Sequence, residues 1–122
     1  MPYPKEHIDQ ARSNALFLST FDPKTTQHPD WAITVAFYTA LHLADACLAS
    51  HNIHPNDHHE RRGAVARHLS AVRAHYVALE SESRRTRYFC QTTTNLQAQL
   101  QIQSHYQPLR DGLCSRLSIL PI

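Results

Sequence analysis

Two arginines and a histidine near the middle of the chain have side chains that could together transfer a proton and hold a phosphate. Arg61 and His68 lie seven residues apart, two turns along one stripe of a helix, and Arg62 is displaced around that helix. A histidine can accept the proton of a 2′-hydroxyl because its pKa lies near the working pH. An arginine can hold the phosphate with parallel N–H donors. The alternative is that His68 lines the packing edge of a helical bundle.

A basic cluster with an aromatic neighbour follows later in the chain. It consists of Arg84, Arg85, Arg87 and Tyr88. Guanidinium groups can hold phosphates while an aromatic ring stacks on a base, so we predict these four as RNA-binding residues. The alternative is a solvated helix end, where the helix dipole favours cations.

Three polar residues interrupt the most apolar stretch of the chain. Tyr38, His42 and Asp45 have helical spacing and can form one polar strip. A buried polar group needs hydrogen-bonding partners, so we predict a network in which Asp45 orients His42. We favour a structural role that fixes the register of the helices. The alternative is a proton-transfer pair that faces a groove.

Four histidines lie close together after this stretch. They are His51, His54, His58 and His59, and no cysteine accompanies them. A zinc site needs three or four ligands that converge on a tetrahedron, whereas adjacent residues on a helix point apart. We therefore predict neither a metal nor a cofactor, and a metal-dependent enzyme remains the least favoured alternative.

Composition favours one all-helical domain that covers residues 1–122. The chain has only two glycines and no clean alternation of apolar and polar residues, whereas β-hairpins commonly use glycine in their turns. The formal net charge of +2 is too small to indicate nucleic-acid binding by itself. The three cysteines form no metal or redox motif, and no signal peptide is visible. We therefore expect a cytoplasmic protein.

Residues 31–50 form the stretch that should organise the fold. Apolar side chains cover most of the circumference of the predicted helix, which is typical of a helix buried on several sides. Asp45 and other polar residues argue against a membrane span. Three short neighbours should leave part of this helix uncovered, so we predict a homodimer whose interface includes it or the last helix.

Three further helices are predicted at residues 4–20, 56–88 and 94–117. The last has a leucine stripe made of Leu96, Leu100, Leu109, Leu113 and Leu117. Pro108 removes a backbone donor, so a kink should occur near residues 106–108. Four helices with short connections predict an up-down-up-down four-helix bundle.

Parts of residues 31–88 resemble the HEPN family of helical domains. Residues 36–49, AFYTALHLADACLA, resemble the second helix of that family, and residues 58–62, HHERR, resemble the start of its next helix. Residues 76–79, YVAL, with residues 83–88, SRRTRY, resemble its later Tyr, Leu and Arg stretch. The family has bundles of four or five helices that usually dimerise.

The resemblance implies RNA binding or metal-independent RNA cleavage, as in toxin and defence systems. The catalytic signature of the family is an arginine followed by four to six residues and a histidine, which Arg61 or Arg62 with His68 reproduces. Two departures are that Gly63 follows Arg62 and that the pair lies in the third helix. The alternative is a non-catalytic interaction or antitoxin-type subunit that binds another protein.

Overall fold

The computed structural model describes residues 2–122, and every regular element among them is helical. The α-helices are α1 (Pro4–Leu18), α2 (Pro29–Ala49), α3 (His58–His68), α4 (Arg73–Tyr88), α5 (Asn95–Gln101) and α6 (Gln107–Arg116). A 3₁₀ turn, Ser70–Val72, precedes α4, and a π turn, Ile102–Tyr106, joins α5 to α6. The prediction of an all-α fold is therefore confirmed, although the chain contains more helices than the four predicted.

Helix α2 is the centre of the structure. It packs against α1, α4, α5 and α6, and Trp31 is its one large apolar side chain that is mostly exposed. By length and composition α2 could cross a membrane, but most of its apolar stretch is buried, as in the core helix of a bundle. Because the chain covers α2 itself, our reason for placing a dimer interface there does not hold, and the homodimer remains a prediction.

The predicted starts of α3 and α5 are confirmed by capping contacts. Asp57 accepts a hydrogen bond at 2.8 Å from the backbone N–H of Glu60, which satisfies one free donor of the first turn of α3. Thr94 accepts from the backbone N–H of Gln97 at 3.1 Å, and the Gln97 side chain accepts from the Thr94 N–H at 2.8 Å. This reciprocal pair is a capping box.

The prediction of one continuous helix over residues 56–88 is wrong, because the helix is interrupted between α3 and α4. Leu69 adopts φ −127° and ψ 39°, which ends α3, and the 3₁₀ turn then leads into α4. The break buries both Leu69 and Val72 in the core. No proline or glycine marks this position, so packing against the rest of the chain causes the break. Gly112 on α6 provides the space into which Val72 fits.

Two helical glycines should respond in opposite ways to alanine. A Cβ at Gly112 would lie 2.7 Å from Cγ1 of the buried Val72, so Gly112→Ala should lower the free energy of unfolding by ~1–3 kcal/mol. A Cβ at Gly63 would lie 3.3 Å from Nη1 of Arg67, a side chain that can move. Gly63→Ala should therefore gain up to ~1 kcal/mol from helix propensity. Denaturant unfolding measures both changes, and equal effects would contradict the close contact at Gly112.

The C-terminal helix is distorted next to Pro108, close to the predicted kink. The backbone N–H of Gln107 donates to the carbonyl of Ile102, five residues earlier, so the chain widens into the π turn just before the proline. Pro108 lacks an N–H and crowds the carbonyl four residues before it, which explains the position of the distortion.

The prediction of one leucine stripe along the last helix is wrong for its first two members, Leu96 and Leu100. Leu96 and Leu100 are 63% and 51% exposed, whereas Leu109 and Leu113 are fully buried. Leu100 and Leu109 lie nine residues apart, about two and a half turns, so a regular helix would place them on opposite faces. Ala98 and Ile102 occupy the buried face of this half of the helix.

Candidate nucleic-acid interface

A groove of about 700 Å³ lies along α3, between the loop that precedes this helix and the start of α4. The polar side chains that line it include His54, His59, Arg62, Arg67 and Arg73. His59 and Arg62 are three residues apart on α3 and therefore share a face of that helix. Three guanidinium groups thus reach one groove from two helices.

A second depression, of about 370 Å³, shares Arg62 with this groove and continues toward the end of α4. Val77, Arg84 and Phe89 contribute to its lining. Arg73, Val77 and Arg84 share one face of α4, within an arc of about 40°. Val77 follows Arg73 by four residues and Arg84 follows it by eleven, and both spacings are close to whole turns of a helix. We call the two depressions together the α3–α4 groove. It extends from Arg73, at the start of α4, to Phe89, just after the end of that helix.

The charges of the α3–α4 groove are mostly unbalanced. Within residues 2–122, Arg67, Arg73 and Arg84 have no carboxylate at ion-pair distance. Arg62 donates to Oε1 of the buried Glu80 at 3.2 Å, which fixes its side chain at the junction of the two depressions. Glu60 also lines the groove and accepts from the backbone N–H of Asn56 at 2.8 Å. The arrangement suits a polyanion.

The structure does not bring the three predicted catalytic residues together. Arg61 donates through Nε and Nη2 to the two carboxylate oxygens of Asp45, at 2.8 and 3.1 Å, and its side chain is only 11% exposed. His68 is exposed at the end of α3, away from the lining of the groove. Only Arg62 lies in the groove. Arg61 is therefore committed to a buried ion pair and is poorly placed to hold a phosphate.

Each member of the predicted polar strip is hydrogen-bonded, but to a residue of another helix. Asp45 binds Arg61, Nδ1 of His42 lies 3.2 Å from Nδ1 of His7, and the Tyr38 hydroxyl accepts from Arg87. Burial lowers the pKa of His42, and the charge of the adjacent His7 lowers it further. The strip thus connects α2 to α3, α1 and α4, and the predicted contact in which Asp45 orients His42 is not made.

The predicted RNA-binding cluster divides into two anchored and two exposed residues. Arg85 pairs with Glu82 and donates to the Thr92 carbonyl in the loop before α5. The Arg87 guanidinium lies over the rings of Tyr38 and Tyr88, at 5.2 and 4.9 Å from their centroids. These contacts position the end of α4 through ion pairing and cation–π attraction.

Arg84 and Tyr88 remain accessible at that end of α4. Arg84 is exposed and lines the α3–α4 groove, and Tyr88 is 66% exposed. Phe89, which the sequence analysis did not select, is 63% exposed and lines the groove beside Arg84. An aromatic ring next to a cation is the arrangement that single-stranded nucleic acid uses for base stacking and phosphate binding.

Several groove residues were missed by sequence reasoning. His59 was considered only as a metal ligand, and Arg67 and Arg73 were not selected. The sequence offers one indication, the spacing of three residues between His59 and Arg62, which places them on one face of a helix. The positions of Arg67 and Arg73 depend on the break at Leu69, which no local pattern predicts.

The four histidines considered as metal ligands do not converge. His54 lies 3.3 Å from Oδ1 of Asn52, His58 faces Glu80 at 3.6 Å, and His59 lines the groove. Among residues 2–122, no group of three or more His, Cys, Asp or Glu side chains is arranged to hold a metal ion.

Comparison of the chain with protein-family models, with curated proteins and with solved structures finds no match.

Proposed function

We propose that this protein binds single-stranded RNA in the α3–α4 groove. The observation that carries this proposal is the presence along one groove of three arginines that have no carboxylate partner within residues 2–122, Arg67, Arg73 and Arg84. Phosphate contacts supply most of the affinity of non-specific nucleic-acid binding. The resemblance of residues 31–88 to the HEPN family favours RNA over DNA as the ligand.

The dimensions of the groove suit a short stretch of single strand. Arg73 and Arg84 are eleven residues apart on α4, a rise of about 16 Å along the helix axis. At a rise of about 3.4 Å per nucleotide along the axis of a stacked strand, that distance spans about five nucleotides. Phe89 and Tyr88 lie at the end of this path and provide faces on which a base can stack.

RNA cleavage in this groove would use only one of the residues predicted to catalyse it. Arg62 gives one donor to Glu80 but is 34% exposed, so its other donors would hold the scissile phosphate. His59 lines the same groove and would accept the proton of the 2′-hydroxyl, the role first given to His68. The 2′-oxygen would bond to phosphorus while the bond from phosphorus to the 5′-oxygen breaks, and the protonated His59 or water would return a proton to the 5′-oxygen, which leaves a 2′,3′-cyclic phosphate. Arg61 would act only through the packing of α2 against α3. The proposed reaction requires no metal.

The salt dependence of binding tests the proposal. Binding of a fluorescent 12-nucleotide RNA is measured by anisotropy from 50 to 300 mM KCl. Neutralising three or four phosphates should give a slope of log K against log salt of about −2 to −3, from about −0.7 per contact for single strands.

Arg73→Gln should make that slope about 0.7 less steep because one phosphate contact is lost. Arg12→Gln on α1 removes the same charge from an exposed site outside the groove and should leave the slope unchanged. An equal change in both variants would show that net charge, rather than the groove, attracts RNA.

A second candidate is an interaction subunit that binds another protein or a second copy of this chain. Leu96 and Leu100 support it, because they lie one turn apart on α5 and are both more than half exposed. Neighbouring exposed leucines are typical of a surface that another chain covers.

A further inference from the structure

Two histidines on the side of α4 away from the groove face each other across helices. His75 lies on α4 and His105 lies in the π turn, and their Nδ1 atoms are 3.1 Å apart. The ring centroids are 5.4 Å apart with an angle of 53° between the planes. His75 is two residues from Arg73, about 200° around α4, so the pair is separate from the α3–α4 groove.

We propose that His75 and His105 bind one divalent ion of the zinc class through their Nδ1 atoms, with water completing the coordination. Zinc binds imidazole nitrogen at 2.0–2.1 Å, so two nitrogens on one tetrahedral ion lie about 3.4 Å apart. Without an ion the two Nδ1 atoms are at hydrogen-bond distance, and their separation of 3.1 Å is within a few tenths of an ångström of the value that a shared ion requires. Each side chain is partly exposed, which leaves room for water ligands.

Within residues 2–122, neither His75 nor His105 takes part in an ion pair, so no carboxylate competes for these imidazoles. The pair formed by His7 and His42 has similar geometry, with 3.2 Å between Nδ1 atoms, but it lies on the core helix α2 close to the Asp45–Arg61 ion pair. The His42→Gln variant described below tests whether this second pair also binds the ion.

The π turn that Pro108 imposes is what places His105 opposite His75. Single π turns within α-helices are rare and are often found at functional sites. Here the π turn carries His105 and contacts α4. An ion held by both residues would join α4 to the C-terminal helix and would stabilise the fold by binding only the native state.

Titration of the full chain with ZnCl₂ tests this site. Calorimetry should show saturable binding of one ion per chain, and the melting temperature should rise with zinc concentration. His75→Gln and His105→Gln should each abolish the saturable binding and the rise in melting temperature. His51→Gln and His42→Gln should retain both, since His51 is exposed elsewhere and His42 belongs to the other pair. Cu²⁺ should give an electron paramagnetic resonance spectrum with two nitrogen ligands.

The two variants at the site provide independent tests. Circular dichroism establishes whether each variant folds. If only one of the two folds, the zinc titration of that variant alone is enough to test the site. Absence of saturable zinc binding by the wild type would overturn the proposal. Retention of binding in a folded His75→Gln or His105→Gln protein would also overturn it, because the ion would then lie elsewhere.

Discussion

Replacement of Asp45 by alanine is expected to lower the free energy of unfolding by about 3–5 kcal/mol, the largest stability loss that we predict for one substitution. Asp45 is buried, and its two carboxylate oxygens accept hydrogen bonds from the largely buried Arg61 guanidinium at 2.8 and 3.1 Å. Asp45→Ala would leave that guanidinium buried without its partner. The cost comes from the uncompensated charge rather than from the lost attraction.

An exposed ion pair provides the matched control for this measurement. Lys5 and Asp9 are 2.8 Å apart, but their side chains are 85% and 52% exposed. Asp9→Ala should therefore change the free energy of unfolding far less than Asp45→Ala, because exposed ion pairs contribute little. The double variant Asp45→Leu/Arg61→Leu should recover much of the loss, because replacing both partners removes the unpaired charge. Urea unfolding reports all three values, and a loss below about 1 kcal/mol in Asp45→Ala would contradict the buried pair.

Local features of the sequence predicted most of the helices. The apolar circumference of residues 31–50 indicated a buried helix, and α2 is the core of the structure. Asp57 and Thr94 cap the helices whose starts they were expected to mark. Pro108 gave the approximate position of the π turn. Each of these features depends on residues close together in the chain, where propensity and hydrogen bonding are decided locally.

The break at Leu69 could not be predicted in the same way. The apolar spacing continues through residues 65–79, and the local sequence contains no helix breaker after Gly63. The break arises because Leu69 and Val72 both enter the core and Val72 packs against Gly112, forty residues later. A contact that distant is invisible to helical periodicity.

The candidate site was only partly predictable for the same reason. Sequence spacing placed Asp45 near His42 on α2, but it did not show that the Asp45 carboxylate would form an ion pair with Arg61 instead. Arg84, one of the four residues predicted to bind RNA, lines the groove, and its role there remains a prediction. Arg67 and Arg73 lie on either side of the break, so their approach depends on the angle between α3 and α4.

The α3–α4 groove predicts a large loss of RNA binding when its free arginines are neutralised together. The triple variant Arg67→Gln, Arg73→Gln, Arg84→Gln removes three cations that have no carboxylate partner within residues 2–122. At ~1 kcal/mol or more for each charge-assisted contact, affinity should fall about a hundredfold or more. The substitutions lie at the surface or at the groove wall, so the melting temperature should change little.

A second triple variant separates the groove from net charge. Lys5, Arg12 and Lys24 are exposed cations on α1 and the loop after it, and none lines the groove. Replacing all three by glutamine lowers the net charge by the same amount. This control should bind RNA within about threefold of the wild type, since distant surface charges are largely screened at physiological salt.

Measurement of the dissociation constant for one single-stranded RNA with the wild type and the two triple variants, at a single salt concentration, tests the proposed function most directly. The groove predicts a loss of about a hundredfold in the first variant and little change in the control. Equal losses in the two variants, or no RNA binding by the wild type, would contradict the groove as an RNA site. The second of these results would favour an interaction subunit that binds through the exposed Leu96 and Leu100.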